Sequence, residues 1–288
     1  MVTKKDSQTI SAIEDPEGVN RAVQRALADA NPVPDPVPPP ATMVELPGGL
    51  LHAGNLICTA EVRELTGEHE EALARAAQGK PGNLLYFMNT LLECGVVRFG
   101  TEDPNDTRKL LKDTLVGDRD ALIIGIRRAT YGNDLEMEQW QCPECEQLSD
   151  LMLPLDELPV KKLDDPVQQH FTVPLRFGRS AEVRLATGAD QLAVFDNSSL
   201  NAAERDTILL GKCLVALSGA DGVRNVVTGL SNAVSRQLGV KDRHDILREL
   251  RERQPGPEFK MTMTHDACGK ETEVSIGLGD LFRDFWLL

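Results

Sequence analysis

The octapeptide AEVRELTG at residues 60–67 returns as AEVRLATG at residues 181–188, which is 121 positions further along the chain. A second landmark follows each copy, because Asp118 and Asp242 are both followed by arginine and both open a segment with helical spacing. Landmarks that recur in the same order predict an internal repeat. The alternative is a chance match of one octapeptide, which the second landmark disfavours.

Each copy is predicted to begin with strands, to run through three helices and to return to strands. This order gives an α+β fold of two homologous helical modules flanked by β-hairpins. Asn201 and Glu204 have the spacing of a capping box at the start of the central helix of the second copy. The apolar positions of the two central helices are Leu84, Phe87, Met88 and Leu91 in the first copy and Leu210, Cys213, Leu214 and Leu217 in the second.

A short cysteine motif stands at the end of the first copy, where residues 142–145 read Cys-Pro-Glu-Cys. Leu135 and Met137 alternate with polar residues before the motif, and Leu151 and Leu153 alternate with them after it. Alternation on both sides of a short loop predicts a β-hairpin with the cysteines in its turn.

The second copy ends in a related motif, in which His265 and Cys268 are again separated by two residues. Apolar residues alternate within residues 259–263 before this motif and within residues 274–278 after it. The sequence therefore predicts a second hairpin, with an HxxC turn at the place equivalent to the first CxxC turn.

Two such turns can complete one metal site. Structural Zn²⁺ takes four nitrogen or sulfur ligands, and a two-residue spacer lets one turn point two ligands at the same ion. The predicted site is a split zinc ribbon that joins the two modules and holds one structural Zn²⁺ through Cys142, Cys145, His265 and Cys268. Four protein ligands leave no open position for catalysis at the ion.

Other interpretations of these cysteines and histidines are open at this point. Cys142 and Cys145 could form a redox dithiol, although such a pair normally opens a helix and strand-like alternation follows here. His265 could be an ordinary turn histidine with Cys268 as a buried thiol. The remaining cysteines, Cys58, Cys94 and Cys213, are predicted to be small core residues, and His52, His69, His170 and His244 to be surface or local polar residues.

Composition and missing motifs exclude several classes of function. The 288 residues carry 31 Lys and Arg against 45 Asp and Glu, a formal net charge of -14, which disfavours nucleic acid as a partner. No phosphate-binding loop, nucleophile elbow or HExxH motif occurs, so no enzymatic activity is expected. No apolar stretch approaches the roughly 18 residues of a membrane span, and the first residues lack a secretory signal, so we expect an intracellular protein without a membrane partner.

The N-terminal segment differs in composition from the rest of the chain. Residues 1–42 are predicted to form a disordered Pro-rich arm, because six of the ten residues from 31 to 40 are proline. The alternative is a short amphipathic helix before the proline run that becomes ordered on a partner. Residues 43–160 then form the first module with the CxxC hairpin, and residues 161–288 form the second module with the HxxC hairpin.

Several segments of the first copy occur together in a specific order. AEVRELTG is followed by EHEEAL, a leucine-rich helix, GDRDALIIGIRRATYGN at residues 117–133, and the CPxC hairpin with LPLDEL after it. In this combination the chain resembles the baseplate hub assembly family of T-even-type tailed phages and its relatives among phage tail proteins. The resemblance covers residues 50–160, and the second copy follows it in order and pattern more than in identity.

The resemblance implies a structural component or assembly factor of a baseplate hub or tail. Its partners would be other phage tail proteins, and its location the tail baseplate of the virion after assembly in the host cytoplasm. The family's zinc-like turns carry over to Cys142 and Cys145 and to His265 and Cys268, where the histidine departs from a second CxxC. The alternative function is a zinc-ribbon adaptor for nucleic acid or a transcription partner, and the oligomeric state is open.

Overall fold

Strands and helices are mixed along the part of the chain that the computed structural model describes, namely Arg21 and residues 42–77, 84–195, 199–227 and 231–283. This mixture of helices and strands is consistent with the predicted α+β class. Most of the predicted N-terminal arm lies outside the described residues. Within residues 1–42, Arg21 is an exposed helical residue and Thr42 already belongs to the first strand.

The first half of the fold contains a three-stranded antiparallel sheet, four helices and a hairpin. Its strands are β1 (Thr42–His52), β2 (Asn55–Val62), β3 (Val96–Phe99), β4 (Asp134–Gln141) and β5 (Leu148–Pro154). Its helices are α1 (Gly67–Ala77), α2 (Leu84–Gly95), α3 (Thr107–Asp113) and α4 (Val116–Tyr131). The sheet has the order β1-β2-β3, and β4 pairs with β5 as a separate hairpin.

The second half contains a four-stranded antiparallel sheet of order β10-β9-β8-β7 and a second hairpin, β12-β13. Its strands are β6 (Val160–Lys161), β7 (His170–Pro174), β8 (Ser180–Arg184), β9 (Leu214–Ser218), β10 (Arg224–Val226), β11 (Gly256–Pro257), β12 (Lys260–Thr264) and β13 (Glu271–Ser275). Its helices are α5 (Gly188–Phe195), α6 (Ala202–Cys213), α7 (Ser231–Gln237), α8 (Val240–Arg253) and α9 (Leu278–Leu281). None of the helices within the described ranges has the length and apolar character needed to cross a membrane.

The two larger sheets share one irregularity. In the first sheet the register between β2 and β3 shifts between Glu61 and Val62. In the second sheet the register between β8 and β9 shifts between Glu182 and Val183. Both shifts fall at the same Glu-Val step of the repeated octapeptide. In each half, the strand after the central helix therefore pairs with the octapeptide strand through an equivalent irregularity.

Two details of the predicted element order are wrong. Among the described residues, four α-helices precede the hairpin in each half rather than three. The helix predicted to continue through Leu214 and Leu217 ends at Cys213, and both leucines lie in β9. A short apolar run satisfies the helical and the strand period alike, and backbone pairing with β8 selects the strand here.

The start of α6 is confirmed as predicted. The Asn201 side chain accepts a hydrogen bond from the Glu204 N–H at 3.0 Å, and the Glu204 carboxylate accepts one from the Asn201 N–H at 2.9 Å. This reciprocal pair satisfies two N–H groups that an isolated helix end would leave without partners.

Buried apolar side chains form two clusters. The first cluster contains the inner faces of β1, β2, α2 and α4, and the second contains those of β7, β8, α6 and α8. The C-terminal hairpin belongs to the first cluster, although it follows the second half in sequence. Its residues there, with those that follow it, are Met261, Val274, Ile276, Leu281 and Phe282. The end of the described chain therefore returns to the first half and brings the two hairpins together.

The arginines of the two Asp-Arg landmarks make matching contacts. Arg119 donates a hydrogen bond to the carbonyl of Leu111, eight residues before it, at 2.8 Å. Arg243 donates one to the carbonyl of Ser235, also eight residues before it, at 2.8 Å. In each half this guanidinium ties the start of the last long helix to the short helix before it.

The aspartates of the same landmarks are both fully buried but have different partners. Burial alone would raise the pKa of Asp242, but hydrogen bonds and charge from Arg176 and Arg179 lower it below its usual value. Asp118 accepts the Gly48 N–H at 2.7 Å, and within the described part of the chain its Oδ2 has no hydrogen-bond partner. Burial consequently raises the pKa of Asp118 to about 7.

Asp118→Asn is expected to flatten the pH dependence of stability. The folded-state pKa of Asp118 lies above the value of 3.8 for a free carboxyl. The favourable contribution of Asp118 to the free energy of unfolding is therefore complete below pH 3.8 and is lost as the pH rises through about 7. The loss amounts to at most about 1.4 kcal/mol per pH unit in this window. Asparagine carries no charge and keeps an acceptor for the Gly48 N–H. In urea unfolding the variant should be more stable than wild type at pH 8, with the gain shrinking towards pH 5.

Asp242→Asn provides the opposite control. Because the pKa of Asp242 is lowered in the folded state, its carboxylate stabilises the fold above the unfolded-state pKa, and this stabilisation is lost as the pH falls. Asp242→Asn should therefore be less stable than wild type at pH 8. Parallel pH profiles for wild type and Asp118→Asn would contradict the assignment of a destabilising buried charge to Asp118.

Candidate metal centre

The first turn of the centre is built by the β4-β5 hairpin. Leu135 and Leu153 pair across the two strands and are both buried, which fixes the hairpin against the first cluster. In the turn, the Cys142 N–H donates to the carbonyl of Gln147 at 3.0 Å, and the Glu146 N–H donates to the carbonyl of Cys142 at 2.8 Å. Glu146 adopts a left-handed backbone with φ of 60°. These bonds hold the two cysteines on one side of a tight loop.

The second turn, between β12 and β13, has the same backbone geometry. The His265 N–H donates to the carbonyl of Lys270 at 2.9 Å, and the Gly269 N–H donates to the carbonyl of His265 at 2.7 Å. Gly269 has φ of 68° at the place that Glu146 occupies in the first turn, and glycine adopts this conformation without strain. Both turns therefore present their two candidate ligands in the same way.

The four predicted ligands meet at one place. The ligand atoms of Cys142, Cys145, His265 and Cys268 all lie within 4.8 Å of one another. His265 Nδ1 lies 3.5 Å from the Sγ of Cys145 and 3.3 Å from the Sγ of Cys268. Tetrahedral zinc with bonds of about 2.1 Å to nitrogen and about 2.3 Å to sulfur would separate those atoms by about 3.6 Å. The two distances from Nδ1 are close to that value, and the four donor atoms lie close enough together to bind one metal ion.

The centre is buried on one side and open on the other. Cys142 and His265 are buried, Cys268 is half-buried and Cys145 is exposed. Burial alone would raise the pKa of the Cys142 thiol, but hydrogen bonds from the N–H groups of Glu144 and Cys145 and from the neighbouring thiols lower it. A lowered pKa favours the thiolate, which is the form of cysteine that binds metal.

Further side chains contact the centre without being candidate ligands. Ser149 Oγ lies 2.7 Å from His265 Nε2, and the Trp140 ring packs edge-on against the imidazole with ring centres 5.7 Å apart. Lys270 forms an exposed salt bridge of 2.7 Å with Glu144 across the two turns. Sequence reasoning missed Ser149 and Trp140, because only the packing of one hairpin on the other brings them to the histidine.

The arrangement can bind one ion through four protein ligands. Because all four tetrahedral positions would be taken, such an ion would have a structural role. The strand β5, and not a helix, follows the Cys142 and Cys145 pair, which is unlike the usual setting of a redox dithiol.

The remaining cysteines and histidines are not part of this group of candidate ligands. Cys213 is buried in the second cluster, where burial raises the pKa of its thiol to about 12, and Cys94 packs partly buried against the first. The prediction that Cys58 is a core residue is wrong, because successive strand residues face opposite sides and the buried side is taken by Ile57. Across the described ranges, no other group of three or more Cys, His, Asp or Glu side chains has metal-binding spacing.

Comparison with known proteins identifies one family. The family model described as T4 bacteriophage base plate protein matches residues 58–283, a range that includes both octapeptides and both turns of the candidate metal centre. Searches of curated proteins and of solved structures returned no significant match.

Proposed function

Because the chain belongs to the T4 bacteriophage base plate protein family, we propose that it is a structural component or an assembly factor of a baseplate hub in a tailed phage. Membership implies interaction with other phage tail proteins and a location in the virion tail. The protein acts through protein contacts and catalyses no reaction. It is made in the host cytoplasm, where the tail is assembled.

The extent of the family match carries this proposal. The match runs from within β2 to just beyond α9, so it includes both hairpins, the four-stranded sheet, the second buried cluster and most of the first, and it leaves out β1. A match to one short motif would support a shared local structure, whereas a match of this length supports a role shared by most of the described fold. The formal net charge of -14 favours basic surfaces on the partner proteins and disfavours nucleic acid.

The second part of the proposal is a structural zinc ion. Its ligands are Cys142, Cys145, His265 and Cys268, as the spacing of their donor atoms supports. An ion at this place connects the hairpin of the first half to the hairpin at the end of the second, across 119 intervening residues. Ligands so distant in sequence bring no preformed site to the unfolded chain, so metal binding contributes directly to folding.

The third part concerns the origin of the two halves. We assign residues 43–160 and 161–288 to two homologous modules whose hairpins form a split zinc ribbon. Three observations support the repeat: the equivalent register shifts at the two Glu-Val steps, the matching contacts of Arg119 and Arg243, and the equal hydrogen-bond pattern of the two turns.

A phage that lacks this protein tests the baseplate assignment. We expect such a phage to fill heads with DNA normally but to produce few complete tails, because a missing hub component prevents the baseplate from forming. Electron microscopy of lysates counts heads and tails, and supplying the wild-type chain from a plasmid should restore complete particles. Normal infectious particles without the protein would overturn the assignment. Loss of DNA packaging with intact tails would favour the nucleic-acid adaptor instead.

A further inference from the structure

The surroundings of His265 contain a contact that the four-ligand scheme does not use. The imidazole is only 2% exposed, so both of its ring nitrogens need partners within the protein. Nδ1 faces the sulfur atoms of Cys145 and Cys268, and Nε2 lies 2.7 Å from the hydroxyl oxygen of Ser149. The two nitrogens therefore have different partners, one set from the metal centre and one from the strand β5.

We infer that Ser149 is a positioning residue that makes His265 a metal ligand through Nδ1. This inference rests on the proposed metal centre. When the Nδ1 lone pair binds the ion, the ring proton resides on Nε2, and this N–H donates a hydrogen bond to Ser149 Oγ. That hydrogen bond selects the tautomer and holds the ring plane towards the three thiolates. Hydrogen bonds of this kind to a ligating histidine are a general feature of metal sites.

The hydrogen bond also crosses between the two hairpins. Ser149 belongs to β5 of the first hairpin and is paired in register with Trp140, whose ring contacts the imidazole from another side. His265 belongs to the second hairpin. The first hairpin therefore orients His265, the only one of the four candidate ligands that is not a cysteine. This explains how a histidine can occupy a position where the first turn has a thiol.

The equivalent residue of the second hairpin behaves differently. Thr272 follows Cys268 by four residues, as Ser149 follows Cys145. Its hydroxyl is buried, and no hydrogen-bond partner for it occurs among the residues that the structure describes. In the repeat, Thr272 corresponds to Ser149, and the ligand opposite Thr272 is Cys142, which corresponds to His265. A cysteine has no ring N–H from which the hydroxyl could accept a hydrogen bond. A hydroxyl at this place is thus engaged only where the opposite ligand is histidine.

Ser149→Ala in the full chain tests the inference, with Co²⁺ as the probe metal. We expect the affinity for Co²⁺, measured by competition with a chelator, to fall about 10-fold to 100-fold, which is the usual effect of removing such a partner. Ser149→Thr keeps the hydroxyl and should bind within threefold of wild type. Thr272→Val is the matched control. It should leave the affinity unchanged, because no described residue forms a hydrogen bond with the Thr272 hydroxyl.

Nitrogen NMR of His265 in the zinc-loaded protein gives a readout that general loosening would not mimic. Wild type should show Nδ1 bound to metal and a slowly exchanging Nε2 proton, and Ser149→Ala should lose the slow exchange. Ligation through Nε2, an unchanged affinity in Ser149→Ala, or an equal loss in Thr272→Val would overturn the role of Ser149 while leaving the metal centre in place. A wild-type chain that binds no Co²⁺ would overturn the metal centre itself, and this inference with it.

Discussion

Cys268→Ser is expected to abolish metal binding and to lower the melting temperature by on the order of 10 to 20 °C. Zinc contributes roughly 10 kcal/mol in small metal domains, and about 1 kcal/mol shifts the melting temperature of a chain of this size by about 2 °C. Serine is a poor ligand for Zn²⁺, so three ligands would have to hold the ion. The hairpin that carries Cys268 buries Met261 and Val274 in the first cluster, and its release would expose that apolar surface.

Elemental analysis and calorimetry measure this result directly. Purified wild type should contain about one zinc per chain, and a strong chelator should lower its melting temperature towards that of Cys268→Ser without affecting the variant. Cys58→Ser is the control, because this cysteine is exposed on β2 and lies outside the cluster of candidate ligands. Metal-free wild type, or a melting temperature that the chelator leaves unchanged, would contradict the structural zinc.

Gly117→Ala is expected to destabilise the fold by more than about 3 kcal/mol, a large effect for a single methyl group. A Cβ atom at Gly117 would lie 1.5 Å from the carbonyl oxygen of Pro255 and 2.6 Å from its carbonyl carbon. Both atoms are backbone, so no side-chain rotation can relieve the overlap. Gly256 takes part in the same close contact between backbones. Its φ is 137°, and a Cβ atom added to it would lie 2.8 Å from the Cα of Gly117. Relief would require the start of α4 to move away from β11.

Gly67→Ala provides the matched control. Gly67 is the first residue of α1, and a Cβ atom there would have no neighbour within 4 Å. Alanine is the better helix former by up to about 1 kcal/mol, so this variant should be as stable as wild type or slightly more stable. Chemical unfolding of the two variants compares them. Equal stability of Gly117→Ala and wild type would mean that α4 and β11 do not pack as closely as the geometry requires.

The candidate metal centre was largely predictable because its signals are local. A two-residue spacer between ligands, with alternating apolar residues on both sides, is encoded within about ten residues and produces a hairpin wherever one face can be buried. The same locality explains the correct prediction of the Asn201 and Glu204 capping box. The errors arose where local patterns are ambiguous, as for Leu214 and Leu217, whose spacing fits a helix although pairing with β8 makes them part of a strand.

Local spacing and periodicity were therefore enough to predict the two hairpins, their turns and the four candidate ligands that the structure brings together. Folding in three dimensions added what those patterns do not contain. It placed the C-terminal hairpin in the first buried cluster, brought Ser149 to His265, and gave two arginine partners to Asp242 but none to Asp118 in the described residues. The physical reason is that periodicity reports which side of an element is apolar, whereas the partner of that side depends on contacts between residues far apart in sequence, here from 63 to 116 positions for the hydrogen bonds named.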